Sequence, residues 1–335
     1  MPRLLLMAFS LILICSVMLI AASSQPVKIF ALQRPDVSPE QLAPQLSEVR
    51  DPLVYGLSWR FRWKTIEPQE GQYNWQPLDK ALEITGNAGK KVILRMVAGI
   101  HTPDWVYQAG AKPFDFSNTA LARSEHYAEG LRMPVPWDEI YLAKWEAFIR
   151  AFGKRYTGNS HLYSVAMSGG GHIDEMNLPK DYEKWQQVGY SDEKLIMAWK
   201  RIIDAYQRAF PDTPTNLAIN EPLGMQRSHV LNPIVSYVLA TYPHKVYLQQ
   251  NALKADLPRN GQIRQIIREA AARTIVGYQM LGGKGFLEGQ TGNRLAAFRN
   301  AQEDHASYVE VYAPDVRDLG QRGALQFLGA PSERR

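Results

Sequence analysis

The chain has 335 residues, of which 45% are hydrophobic and 21% charged, and its formal net charge is +5. This composition excludes a disordered or low-complexity protein, and the presence of one cysteine excludes a disulfide-stabilised scaffold. Basic and acidic residues are interspersed without a basic block, so the sequence does not predict nucleic acid or a membrane surface as a partner.

The N-terminal segment predicts export. Arg3 is followed by a nearly unbroken apolar run, Leu4–Ile20, and Ala21–Gln25 supplies small residues suited to cleavage. We therefore expect residues 1–25 to be a signal peptide and the mature protein to be secreted or periplasmic. The apolar run is also close to the shortest length that spans a bilayer, so a retained membrane anchor is the alternative. Cys15, the sole cysteine, lies within this segment.

The remaining residues, 26–335, alternate β-prone apolar segments with helical ones, which is typical of a parallel sheet with crossover helices. Eight strands are predicted, at Val27–Leu32, Leu53–Phe61, Val92–Val97, Tyr163–Met167, Thr215–Ile219, Val246–Gln250, Thr274–Met280 and Ala306–Tyr312. Amphipathic helices are clearest at Ile140–Tyr156, Asp192–Phe210 and Ile263–Ala272, with Asp192 as an expected N-cap. Without any linker, this alternation predicts one α/β domain, a single (β/α)8 TIM barrel whose last helix follows Tyr312.

Aromatic and charged residues crowd two consecutive strand ends. The second predicted strand leads into Trp63-x3-Glu67-Pro68-x2-Gly71-x-Tyr73-x-Trp75, and the third leads into Thr102-Pro103-x-Trp105. The C-terminal ends of the strands carry the active site in a β/α barrel, so these residues predict a site at that end.

These motifs resemble the "W…EP.G.Y.W" and "P.W" stretches of the β/α-barrel glycoside hydrolases of the large retaining clan. That clan contains the family 42 β-galactosidases, the family 10 xylanases and the family 5 cellulases. A third segment, Val135-Pro136-Trp137-Asp138-x2-Tyr141, resembles the residues that lead into the helix before their fourth strand. The resemblance implies a carbohydrate substrate and two catalytic glutamates, at the ends of the fourth and seventh strands.

Two glutamates compete for the acid/base role. If Val27–Leu32 is the first barrel strand, Tyr163–Met167 is the fourth, and the glycine-rich segment after it leads to Glu175, the preferred candidate. Its three glycines are expected to bend the backbone and leave room for a ligand. Glu221, in Asn220-Glu221-Pro222, has the asparagine that the clan motif requires, but in this count it follows the fifth strand. Without Val27–Leu32 in the barrel, Glu221 would move to the fourth strand.

Glu310 is the nucleophile candidate. It lies in Tyr308-Val309-Glu310-Val311-Tyr312, where alternate side chains point to opposite sides of the strand. A carboxylate among such β-formers is explained if it faces into the barrel. The count that includes Val27–Leu32 puts it on the eighth strand, whereas the clan carries its nucleophile on the seventh. Arg62 is the cation expected to hold Glu310 ionised, and a purely structural Glu310–arginine pair is the alternative.

Further strand-end and loop residues are suited to sugar binding, because aromatic faces stack on pyranose rings while amides and imidazoles bond hydroxyl groups. These candidates are Trp59, Arg62, Trp63, His101, Trp105, His172, Gln249, Asn251, Gln279 and Tyr312.

Other chemistries lack their motifs. There is no HExxH, no phosphate-binding glycine loop followed by lysine, no CxxC and no G-x-S-x-G, and the seven histidines form no cluster. No cofactor and no metal are therefore expected. The sequence predicts an exported, β-galactosidase-like enzyme that cleaves β-linked glycosides with a pair of glutamates and with retention. The alternative is a non-catalytic carbohydrate-binding TIM barrel that has lost one carboxyl group.

Overall fold

The computed structural model describes residues 26–33, 47–117, 130–171, 178–220, 223 and 228–330. The predicted signal peptide lies outside these residues. Within the described part of the chain, no helix is both long and apolar enough to cross a membrane.

Eight parallel strands form a closed barrel. They are β1 (Lys28–Leu32), β2 (Val54–Arg62), β3 (Lys91–Val97), β6 (Leu162–Ala166), β7 (Thr215–Ala218), β8 (Val246–Leu253), β9 (Val276–Met280) and β10 (Tyr308–Tyr312). Around the barrel they follow the order β1-β10-β9-β8-β7-β6-β3-β2, and pairing of β1 with both β2 and β10 closes the sheet. The predicted (β/α)8 barrel is confirmed, and each of its eight strands overlaps a predicted one.

Helices cover the outside of the barrel and the ends of its strands. They are α1 (Ser47–Arg50), α2 (Trp63–Ile66), α3 (Gln76–Asn87), α4 (Asp104–Gln108), α5 (Glu139–Tyr156), α6 (Tyr182–Gln187), α7 (Asp192–Ala209), α8 (Ser228–Thr241), α9 (Gln262–Ala270), α10 (Glu288–Thr291), α11 (Arg294–Glu303), α12 (Ala313–Val316) and α13 (Arg322–Gly329). Short 3₁₀ turns lie at Gly99–His101 and Leu319–Gln321. The predicted last helix is α13, which follows the eighth barrel strand.

Side-chain caps fix where the two longest helices begin. Asp138 accepts a hydrogen bond from the backbone N–H of Tyr141 at the start of α5. Ser191, rather than the predicted Asp192, caps α7 by accepting from the backbone N–H of Lys194. Asp192 instead lies in the first turn of α7, where a negative charge interacts favourably with the helix dipole.

The two helices approach each other closely at Gly153. A Cβ atom built on Gly153 would lie 2.3 Å from the carbonyl oxygen of Ala209, at the end of α7. The apolar face of α5 turns toward the core at helical spacing, through Tyr141, Leu142, Trp145, Phe148, Ile149, Phe152 and Tyr156.

An antiparallel hairpin that the sequence did not predict follows the third barrel strand. It pairs β4 (Pro113–Phe116) with β5 (Leu131–Pro134). Phe114 stacks on Trp185, with ring centroids 3.5 Å apart and planes within 6° of parallel. Strands of four residues carry too few alternating positions to be recognised from periodicity.

Candidate active site

The centre of the barrel is polar around Glu310. Alternation along β10 places Tyr308, Glu310 and Tyr312 on one side of the strand. The Glu310 carboxylate accepts hydrogen bonds from the Ser58 hydroxyl at 2.6 Å and from Nε2 of Gln249 at 2.8 Å. Its side chain is fully buried. The expectation that Glu310 faces the barrel interior is therefore met.

The arginine that pairs with Glu310 is Arg95 on β3, not the predicted Arg62. Nη2 of Arg95 lies 3.3 Å from Oε2 and 3.4 Å from Oε1 of the carboxylate. Both side chains are almost completely buried, at 2% and 0% exposure. Nη1 of Arg95 also donates to Oε1 of Gln279, 3.4 Å away. A buried carboxylate requires such charge compensation, because desolvation would otherwise make its ionised form costly.

Gln249 links Glu310 to the rest of the interior. Its Nε2 also lies 2.6 Å from Oδ1 of Asn251, and its Oε1 accepts from the Tyr308 hydroxyl at 2.7 Å. Nδ2 of Asn216 donates to the same oxygen at 3.3 Å. Burial, followed by the negative charge of Glu310, raises the pKa of Tyr308 well above its ordinary value, so that hydroxyl stays a donor. The network leaves the Glu310 carboxylate little freedom to rotate.

The strand count separates the two acid/base candidates. Because β1 belongs to the barrel, β6 is its fourth strand and β7 its fifth, so Glu175 follows the fourth strand in sequence and Glu221 the fifth. Glu175, Glu221 and the sugar-binding candidate His172 all lie outside the described residues.

The same count puts Glu310 on the eighth strand and Gln279 on the seventh. The two residues are direct neighbours in the register of β9 and β10. The clan carries its nucleophilic glutamate on the seventh strand. On that strand this chain has Gln279, and the glutamate, Glu310, lies beside it on the eighth strand.

Indole and phenol groups hold the backbone that leads toward Glu175. The Tyr141 hydroxyl donates to the carbonyl of Gly169 at 2.6 Å, and Nε1 of Trp145 donates to that of Ser168 at 2.8 Å. Nε1 of Trp199 donates to the carbonyl of Gly171 at 3.1 Å. A Cβ atom on Gly169 would lie 2.2 Å from the Trp145 indole. Gly170 lies similarly close to Trp199, and Gly171 to Leu178, so side chains of the protein fill the space that we expected for a ligand.

A cleft opens over the ends of the second and third barrel strands. It has a volume of about 980 Å³, and Arg62, His101 and Trp105 are among its lining residues. Leu131 and Arg132 of the hairpin also line it. Glu310 does not line this cleft. Of the sugar-binding candidates, Arg62, His101 and Trp105 line this cleft, whereas Gln249, Asn251 and Gln279 belong to the polar network around Glu310.

Two of the predicted sugar-binding tryptophans belong to the core. Trp59 is buried, and its Nε1 donates to the Thr85 hydroxyl on α3 at 3.2 Å. Trp63 is also buried, with its ring centroid 4.7 Å from that of Trp145. Their positions at a strand end did not reveal that they point toward the surrounding helices.

The motif around Glu67 builds a loop. Its carboxylate accepts from Nε1 of Trp63 at 2.7 Å and from the backbone N–H of Gly71 at 2.8 Å. Its carbonyl accepts from Nε1 of Trp105 at 3.0 Å. Burial raises the pKa of Glu67, against the opposing effect of the hydrogen bonds from Trp63 and Gly71 to its carboxylate. Glu67 therefore ties the second strand end to the third and gives Trp105 its place in the cleft.

Sequence reasoning missed Arg95, Ser58 and Asn216. Arg95 stands among the apolar residues of Lys91–Val97, so it could have been selected on the same grounds as Glu310. Ser58 and Asn216 carry no comparable signal. Within the described ranges, no group of histidine, cysteine, aspartate and glutamate side chains is arranged to hold a metal ion.

Comparison with known proteins supports the assignment of this chain as a glycosidase. A model of glycoside hydrolase family 42, described as β-galactosidase, matches residues 57–207. No curated protein matches the chain by sequence.

Solved structures share the fold at low sequence identity. The catalytic domain of a β-amylase from Paenibacillus polymyxa has a TM-score of 0.61 and 10% identity, covering 93% of this chain and 100% of that one. A β-galactosidase from the psychrophilic Marinomonas ef1 has a TM-score of 0.52 and 12% identity, covering 85% of this chain and 53% of that one. Xylanase XynB from Paenibacillus barcinonensis has a TM-score of 0.52 and 14% identity, covering 89% and 87%.

The solved structures establish the TIM-barrel fold. The match to the family 42 model indicates glycoside hydrolase activity. The chain is a TIM-barrel glycoside hydrolase of the large retaining clan.

Proposed function

We propose that the chain is an exported enzyme that cleaves β-linked glycosides with two glutamates and with retention of configuration. The observation that carries this proposal is the buried Glu310 carboxylate in the barrel, held by Arg95, Ser58 and Gln249. A nucleophilic carboxylate must be correctly oriented, and these three donors fix its orientation.

Glu310 is assigned the nucleophilic role. One of its oxygens would attack the anomeric carbon and form a glycosyl-enzyme ester while the glycosidic bond breaks. Each carboxylate oxygen accepts two of these hydrogen bonds, so the oxygen that attacks would release one of them. Arg95 would remain in contact with the carboxylate and keep it in place.

Glu175 is the preferred acid/base residue. It would protonate the departing glycosidic oxygen and then deprotonate the water that hydrolyses the ester. Its sequence position after the fourth barrel strand supports this choice, as does the backbone before it, which Tyr141, Trp145 and Trp199 hold. Glu221 is the alternative, supported by Asn220 before it. A retaining pair should have its carboxyl groups about 5–5.5 Å apart.

Glutamate-to-glutamine variants test these assignments on aryl β-galactosides, aryl β-xylosides and the matching oligosaccharides. Glu310→Gln should abolish the hydrolysis of both substrate types. Glu175→Gln should cripple oligosaccharide hydrolysis far more than aryl glycoside hydrolysis, because only a poor leaving group needs protonation. Glu83→Gln, at an exposed position on α3, is the matched control.

The outcomes separate the alternatives. Full activity of Glu310→Gln would refute its role as nucleophile. Normal oligosaccharide turnover by Glu175→Gln, together with its loss in Glu221→Gln, would transfer the acid/base role to Glu221. NMR of the first-formed anomer tests retention, and an α-anomer from a β-glycoside would contradict it.

A further inference from the structure

The loop after the seventh barrel strand presents an exposed aromatic ring. Gly283 and Phe286 exchange two backbone hydrogen bonds, of 2.7 and 2.8 Å, which fold residues 283–286 into a tight turn. Phe286 is 45% exposed, and the adjacent Leu287 is 38% exposed. The two side chains thus form a small apolar patch on a hydrogen-bonded turn.

The loop is held rigidly. The backbone N–H of Lys284 donates to Oδ1 of Asp315 at 3.0 Å, and Arg294 forms an ion pair with the same oxygen at 2.9 Å. A Cβ atom on Gly283 would lie 2.7 Å from both Asp315 Oδ2 and Tyr312 Cβ. Leu287 has a positive φ of 48°, a backbone conformation that non-glycine residues seldom adopt and that the surrounding contacts must impose.

The exposed ring lies beside the proposed catalytic strand. The Phe286 and Tyr312 ring centroids are 5.6 Å apart, with planes inclined at 52°. Tyr312 ends β10, two residues beyond Glu310 and on the same side of the strand. Phe286 therefore lies on the rim of the barrel mouth, next to the end of the strand that carries Glu310.

We propose that Phe286, supported by Tyr312, is a stacking platform for a pyranose ring of an oligosaccharide substrate. This inference rests on the proposed function, because it assumes that sugar enters at this end of the barrel. An aromatic face suits the apolar face of a pyranose, and a ring carried on a hydrogen-bonded turn loses less entropy on binding than one on an open loop. Two exposed side chains are too small an apolar surface for a stable protein interface, which needs roughly 1,000 Å² or more.

Affinity electrophoresis of the full chain tests the platform. Native gels would contain soluble xylan, β-1,4-galactan or mixed-linkage β-glucan. A gel with dextran would serve as the comparison polysaccharide. Phe286→Ala should weaken retention on the bound β-glycan about tenfold, because it removes the apolar contact area. Phe286→Trp should preserve retention. Met197→Ala is the matched control, since Met197 is an exposed apolar residue on α7, 57% exposed.

Kinetics on oligosaccharides of the same glycan distinguish this inference from the proposed function. In an active enzyme, Phe286→Ala should raise KM for a tetrasaccharide about tenfold and leave an aryl monoglycoside almost unaffected. Unchanged retention and KM in Phe286→Ala would overturn the platform while leaving the proposed function intact. If the native chain binds a β-glycan without turnover and Phe286→Ala loses that binding, the platform stands and the proposed function fails. If the native chain binds none of the three β-glycans, the platform is overturned, and the aryl glycoside and oligosaccharide assays decide the proposed function separately.

Discussion

At the scale of single residues, the central feature is a buried charge pair inside the barrel. Glu310 and Arg95 come from the eighth and third barrel strands, and both are almost inaccessible to water. Removing one partner of such a pair leaves an uncompensated buried charge, which typically costs about 3–5 kcal/mol. Replacing both partners with uncharged residues leaves no uncompensated charge in the interior.

A double-mutant cycle tests this coupling. Arg95→Met should lower the free energy of unfolding by about 3–5 kcal/mol, whereas the double variant Arg95→Met/Glu310→Gln should recover part of that loss. Urea denaturation of the native chain, both single variants and the double variant measures the four values. Strictly additive effects would show that the two charges are not coupled.

At this scale, sequence reasoning was correct about the direction of Glu310 and wrong about its partner. A lone carboxylate among β-formers already indicates an interior position. The identity of the cation depends on which strands lie opposite each other across the barrel, and spacing along the chain does not contain that relation. Arg62 therefore lines the cleft while Arg95 binds Glu310.

At the scale of secondary structure elements, helices α5 and α7 pack at a separation that only a glycine allows. Gly153 lies within α5, where alanine would favour helix formation by about 1 kcal/mol. A Cβ atom there would nevertheless meet the backbone oxygen of Ala209 at 2.3 Å, and backbone cannot move aside cheaply. The packing effect should therefore outweigh the helix propensity.

Gly153→Ala is expected to destabilise the protein by about 1–3 kcal/mol, the usual cost of overpacking. Gly323→Ala is the matched control, because Gly323 lies in α13 and a Cβ atom there would meet no other atom within 4 Å. Thermal unfolding of both variants measures the difference. A melting temperature for Gly153→Ala at or above that of the native chain would contradict this account of the helix packing.

At the scale of the whole molecule, closure of eight parallel strands leaves no sheet edge and brings all strand C-termini to one mouth. The order of strands and helices was predictable, because a hydrophobic period of two or 3.6 residues is a local property. The hairpin of β4 and β5 was not, since its short strands depend on packing such as that of Phe114 on Trp185.

Processing of the N-terminal segment is the prediction for the whole chain. Mass spectrometry of protein from its native host should find an N-terminus near Gln25 and, because Cys15 is removed, no reactive thiol. Thiol titration of the same sample is an independent check. Recovery of intact Met1 would instead support a retained membrane anchor.

The amino-acid sequence by itself determined the barrel, the strand ends that carry aromatic and charged residues, and the inward direction of Glu310. Each of these follows from local periodicity or from the cost of burying a charge. Only the tertiary structure decided that Trp59 and Trp63 are core residues, that Arg95 pairs with Glu310, and that Phe286 is exposed on the rim. Such contacts join residues far apart in the chain, and their geometry is set by the closure of the barrel and the packing of helices around it.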